Sequence, residues 1–174
     1  EPYVETDETN PINSYGRTKL AGELAIQKKT DKFIILRTSW VFSKNGNNFV
    51  NTILRLAKER DKLKVVNDQF GGPTSADCIA KVLLKLATEH KEQWGTYHYS
   101  GKPYVSWFEF AKKIVKQGVK DGALTKIPEI TPCGSDEFPV KAKRPQNSRL
   151  CQRKLIKKFN LKQCFWDTKL SNWR

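Results

Sequence analysis

Tyr15 and Lys19 stand four residues apart in Asn13-Ser14-Tyr15-Gly16-Arg17-Thr18-Lys19-Leu20-Ala21-Gly22-Glu23. On a helix such positions share one face a turn apart, so a phenol and an ammonium can serve the same small volume. A free phenol, with a pKa of about 10, exchanges protons poorly near neutrality. A cation one turn away favours the phenolate and suits the phenol to general acid or base work. Lysine-rich helices produce this spacing often, so the pair alone reads as readily as a solvated helix face. Its flanks change the weighing.

Ahead of the pair runs Glu5-Thr6-Asp7-Glu8-Thr9-Asn10-Pro11-Ile12-Asn13. Together the two stretches resemble the active-site helix of extended short-chain dehydrogenases/reductases, and within them are most similar to the dTDP-4-dehydrorhamnose reductases. Later blocks follow in the same family's order: Arg37-Thr38-Ser39-Trp40-Val41-Phe42, then Gly46-Asn47-Asn48-Phe49. After these come Asn67-Asp68-Gln69-Phe70-Gly71-Gly72-Pro73-Thr74 and Arg144-Pro145-Gln146-Asn147-Ser148-Arg149-Leu150. Spread over nearly the whole chain, the blocks are more specific than any one of them.

The resemblance implies hydride transfer from NADPH or NADH to the C4 ketone of dTDP-6-deoxy-L-lyxo-4-hexulose, giving dTDP-L-rhamnose. Tyr15 would then donate the proton to the developing C4 alkoxide, and Lys19 would lower the tyrosine pKa and hydrogen-bond the nicotinamide ribose. Ser39 would approach the nicotinamide. Trp40 would pack against the sugar, since a tryptophan face can stack on an apolar sugar face; the structural alternative is an ordinary core aromatic. Asn48, Gln69 and Arg144 would hold the dTDP moiety. A guanidinium fork can grip a diphosphate bidentately, although Arg144 in a basic chain also reads as plain surface charge. Asn48 can present donors to phosphates at a helix start and serve as an N-cap at once. Asp77 matches a position where some relatives hold a glutamate near a magnesium; the side chain here is one methylene shorter, and a metal is left unsupported. The resemblance leaves room for a homodimer.

The family opens with a strand, a glycine-rich turn and a helix that hold the cofactor pyrophosphate. This sequence has no such turn, because Gly71-Gly72 precedes a proline rather than a helix. With no methionine and a start at Glu1-Pro2, the expectation is the C-terminal part of a longer reductase. The fold expected is α/β: the C-terminal part of a doubly wound Rossmann-type parallel sheet with a small α+β substrate-binding cap. Residues 1–45 would end the dinucleotide-binding domain, and residues 46–174 would be mostly substrate-binding, interleaved with remaining Rossmann elements.

Bulk properties agree with one compact unit or with a domain and a fraction. The chain of 174 residues has 38% hydrophobic and 11% aromatic content, which excludes a disordered polymer. No apolar run approaches the roughly 20 residues that cross a bilayer. Cys78, Cys133, Cys151 and Cys164 lack C-x-x-C pairing, so they read as reduced thiols of a cytoplasmic protein. The net charge of +14 invites a nucleic-acid reading, yet the lysines are dispersed. The denser groups Lys112-Lys113-Lys116 and Arg153-Lys154-Lys157-Lys158 have the spacing of solvated helix faces, and a positive field also suits a nucleotide-sugar diphosphate. Two other readings stay open: a non-catalytic regulatory subunit on the same fold, like that of methionine adenosyltransferase, and, more remotely, a basic nucleic-acid-binding module.

The elements that must position these residues are legible in outline. Asn10 as N-cap and Pro11 at the first helical position start a helix to about Gln27, with Leu20, Ala21, Leu24 and Ala25 as its apolar stripe. Phe33–Leu36 reads as a buried parallel strand. Phe49, Ile53, Leu56 and Ala57 mark a second helix, and Leu63–Val66 a second strand. Ser75 can cap a helix with Ile79, Val82, Leu83 and Leu86 inward, at whose end His90 reads as solvated. Gly95–Ser100 reads as a strand with Tyr97 and Tyr99 on one face and His98 on the other. Ser106 and Glu109 form a capping box. A loop is expected from about Thr131 to Pro145, and a last basic helix from about Cys151 to Phe159. No internal repeat or low-complexity segment is present.

Overall fold

The computed structural model describes residues 1–89, 92–138, 141–171 and 173. His90 lies outside the described residues. In chain order the elements begin with α1 (Ser14–Lys29), β1 (Ile34–Arg37), β2 (Val41–Phe42), α2 (Phe49–Glu59) and β3 (Lys62–Val66). The central ones are β4 (Phe70–Gly71), β5 (Thr74–Ser75), α3 (Ala76–Glu89), β6 (Gly95–His98) and β7 (Val105–Ser106). The chain continues through α4 (Trp107–Lys120), β8 (Glu129–Cys133), β9 (Asn147–Ser148), α5 (Arg153–Phe159) and a short 3₁₀ turn, Asp167–Lys169.

Pairing is parallel for β1 with β6, β2 with β5, β3 with β8 and β4 with β9, and antiparallel for β4 with β7. Strands that pair in parallel across intervening helices make an α/β architecture, as the sequence leads one to expect. Two apolar clusters fill it. The larger joins α2, β3 and α4 through Val50, Ile53, Leu63, Val65, Phe110 and Ile114, with Trp166 beneath. The smaller joins α3, β6 and α5 through Val82, Leu86, Tyr97, Tyr99, Leu155 and Phe159.

Helix starts follow their caps. Asn48 accepts from Asn51 N–H at 3.2 Å, and the Ser106–Glu109 capping box is complete. Helix α1 begins at Ser14 and not near Asn10, because Asn13 Oδ1 accepts the Gly16 N–H at 2.8 Å and Pro11 stays outside. The expected loop from Thr131 contains the end of β8, which pairs with β3 despite Pro132. A proline is tolerated there because β8 is paired on one side only and leaves its missing donor on the open edge.

Three expectations fail on packing. No residue of α1 is buried, so its Leu20, Ala21, Leu24, Ala25 stripe has no core beneath it among the described residues. On α3, Val82 and Leu86 are buried and Ile79 partly so, while Leu83 points outward. Cys78 and Cys164 form a disulfide rather than standing as free thiols; Cys133 and Cys151 remain free. A separation of 86 residues gives no sequence signature, and only the folding of the C-terminal segment onto α3 brings the two sulfurs together. His98 is buried like both flanking tyrosines, and its Nδ1 lies 3.1 Å from the Tyr3 carbonyl.

Candidate functional site

The residues expected to act fall into two groups. On α1, Tyr15 is 71% exposed, and Lys19 Nζ stands 5.6 Å from its ring centroid, within the range of a cation–π contact. The pair therefore shares a face, as the spacing requires. Glu23, one turn further on, receives a forked hydrogen bond from Arg37 of β1, Nε at 3.0 Å and Nη2 at 2.6 Å. This bond ties α1 to the sheet. Ser39 donates to the Gly72 carbonyl at 3.3 Å, behind the β1–β2 turn.

The second group meets. Trp40, Asn48, Gln69 and Arg144, drawn from four separate segments, line one cavity of about 640 Å³ between α2, β3 and the start of α4. Tyr15, Lys19 and Ser39 are not in its lining. Trp40 follows β1 with φ at +49°, a left-handed conformation that a bulky residue rarely adopts and that marks functional turns. Gly71 is required beside it, since a Cβ there would overlap the Trp40 indole. Trp107 stacks on the Trp40 indole, ring centroids 3.4 Å apart at an interplanar angle of 8°, so that face, which the sequence offers to a sugar, is occupied within the protein.

Two of the expected ligands are committed to the protein itself. Asn48 caps α2 with its oxygen and donates its amide to the Ser43 carbonyl at 2.8 Å, so what this corner offers an anion is the N-terminus of α2. Gln69 bonds Ser135 and Trp107 with its two ends. Arg144 is exposed and makes no hydrogen bond or ion pair among the described residues.

The cavity has a basic wall. Lys62 and Lys64 point outward from β3 and pair with Glu129 and Glu137. Hydrogen bonding to these carboxylates, with their charge, pushes both lysine pKa values up, so both stay cationic. Arg60 also lines the wall. Arg60 and Trp107 were not singled out by the sequence. Arg60 is one cation among 32, and Trp107 sits directly behind the capping-box serine, where its position could have drawn notice. The Arg144 loop is also tied to α1, because Asn13 Nδ2 donates to the Lys143 carbonyl at 2.8 Å.

Among the described residues no group of three or more His, Cys, Asp and Glu side chains could hold a metal ion, and no helix is long and apolar enough to cross a membrane. Tyr15 and Lys19 are both solvent-facing. No glycine-rich turn for a pyrophosphate occurs in this sequence.

The profile of the RmlD substrate binding domain matches residues 1–173. The chain belongs to the RmlD substrate binding domain family. A dTDP-4-dehydrorhamnose reductase of Aggregatibacter actinomycetemcomitans is 42% identical over 176 residues, covering 99% of this chain and 60% of the relative. That of Escherichia coli K12 is 42% identical over 164 residues, covering 92% of this chain and 54% of the relative. The chain thus spans little more than half the length of these RmlD-family relatives. The crystal structure of the Bacillus anthracis dTDP-4-dehydrorhamnose reductase in complex with NADP matches at a TM-score of 0.87 and 38% identity, over 97% of this chain and 57% of that one. Over the region shared, the α/β architecture described above is that of these reductases.

Proposed function

We propose that this chain carries the substrate-holding part and the Tyr–Lys proton-transfer pair of a reductase. Its reaction is reduction of the C4 ketone of dTDP-6-deoxy-L-lyxo-4-hexulose to dTDP-L-rhamnose. The observation that carries this is the convergence of Trp40, Asn48, Gln69 and Arg144 on one cavity with a basic wall. NADPH or NADH supplies the hydride when bound. Tyr15 donates the proton at O4, and Lys19 stands a turn away on the same face. Ser39 faces the nicotinamide side. Trp40 meets the sugar, and the α2 N-terminus at Asn48 together with Arg144 meets the diphosphate. Residues 1–45 belong on this reading to the dinucleotide-binding domain and the remainder mostly to substrate binding, with no metal and no nucleic acid involved. A homodimer fits the family. The cytoplasm is the matching compartment, where thiols are kept reduced; the Cys78–Cys164 bond is the structural feature that stands against it.

Calorimetry with the dTDP-sugar tests the reading. Arg144→Ala should weaken binding about ten- to a hundredfold, the worth of charge-assisted bonds to a diphosphate, and Arg144→Lys should recover only part. An unchanged affinity in Arg144→Ala would return Arg144 to the solvated surface. NADPH should bind this chain very weakly, since no glycine-rich turn meets its pyrophosphate.

A further inference from the structure

Behind the cavity, each polar atom has one permitted role. The Asp68 carboxylate accepts from the Ser135 hydroxyl at 2.6 Å and from the Ser135 backbone N–H at 3.0 Å. These bonds hold Asp68 below the usual carboxylate range, so it is an acceptor only. The Ser135 hydroxyl has a single proton, already given to Asp68, and toward Gln69 it can only accept. The 2.8 Å contact between them must therefore come from Gln69 Nε2. The Gln69 carbonyl then faces the other way, where it receives the indole N–H of Trp107 at 3.2 Å. The donors run in one direction, from Trp107 to Gln69 to Ser135 to Asp68, and the amide has no second orientation that satisfies both neighbours.

The chain of bonds spans three elements. Asp68 and Gln69 lie in the turn between β3 and β4, Ser135 follows β8, and Trp107 opens α4. Gln69 is 6% exposed, with both polar ends engaged. Trp107 is in turn stacked on Trp40 and packed against Phe49, ring centroids 4.4 Å apart. We infer that Gln69 is a positioning residue: braced by Ser135 and Asp68, it fixes the plane of Trp107, which fixes the aromatic wall that the sugar nucleotide meets. The ligand in this statement rests on the function proposed above, whereas the ring orientation does not.

Ser135 is absent from the cavity lining and so separates bracing from direct contact. In this chain the five tryptophan indole N–H signals can be followed by NMR, with Trp107 assigned by Trp107→Phe. Ser135→Ala should speed exchange of the Trp107 indole proton by about fivefold or more, the worth of one hydrogen bond. It should also lower affinity for the dTDP-sugar more than for dTDP. Ser135→Thr should restore both, and Gln69→Leu should lose both. Wild-type exchange and affinity in Ser135→Ala, beside lost affinity in Gln69→Leu, would overturn the inference and make Gln69 a direct ligand. If the unsubstituted chain bound no dTDP-sugar, the proposed function would fall, and the exchange rates would still decide the bracing. Should Ser135→Ala not fold, the exchange rates of Gln69→Leu and Ser135→Thr decide it alone.

Discussion

Helices α1 and α4 are of similar length, yet they are held in different ways. Helix α4 buries Phe110, Ala111, Ile114, Val115 and Gly118 against α2 and β3. Helix α1 buries nothing and is joined to the rest by the Glu23–Arg37 fork and by the Asn13 contact to the loop at Lys143. The residues that would hold a substrate thus stand on a packed core, while the Tyr15–Lys19 pair stands on a helix secured by polar bonds.

The largest test of that contrast is in the packing. Phe110, at 0% exposure, touches Phe42, Phe49, Trp107 and Trp166; Phe110→Ala should cost about 3–5 kcal/mol in urea unfolding. Leu24→Ala on α1, where the side chain is 55% exposed, should stay within about 0.5 kcal/mol. Comparable losses from both would erase the distinction. In a reductase of the relatives' length, Tyr15→Phe should lower kcat by about 10²-fold and leave nucleotide-sugar affinity near its original value. A near-normal kcat would remove Tyr15 from the proton-donor role. Arg37→Leu should cost roughly 1.5–3 kcal/mol, the worth of hydrogen bonds to a charged group, and amide exchange should accelerate in α1 ahead of α4. Uniform acceleration would mean that α1 has support beyond the fork.

The smallest effect is one of pH. Because the Ser135 bonds depress the Asp68 pKa in the folded chain, Asp68 favours the fold fully above the ordinary carboxylate range of about 4. That contribution fades as pH falls through the folded value. Asp68→Asn should be less stable than the original at pH 7, with the gap narrowing below about pH 4. A gap of constant size across that range would show that Asp68 does not stay ionised in the fold.

What could be read from sequence follows from the range of the forces involved. Helices α2 and α4 were legible because their caps and apolar spacing are local, and β1, β3 and β6 because a buried run of strand length is local too. The two-residue strands β2, β4, β5, β7 and β9 exist only through their partners, so no local pattern marks them. Strand β8 was hidden by Pro132, which reads as loop until its open edge is known. At the site, family resemblance pointed to Trp40, Asn48, Gln69 and Arg144, and their convergence is a property of the fold. That Asn48 and Gln69 spend their amides internally could not be read, because Ser43 and Ser135 show no special spacing to them. The cysteine pairing escaped for the same reason.

Asn13 is a small residue with two appointments. Its oxygen closes the first turn of α1, and its nitrogen holds the carbonyl of Lys143, the residue before Arg144. Both atoms sit on one carbon, Cγ, so the side chain acts as a short linkage rod between the helix of Tyr15 and the loop of Arg144, with almost no slack. A loop drawn inward by an anion would pull the start of the tyrosine helix with it. Asn13→Ser keeps a capping oxygen and removes the rod; α1 should stay helical while the signals of Tyr15 cease to respond to dTDP added at the far side. A Tyr15 response that survived the change would show that the two regions communicate by another route.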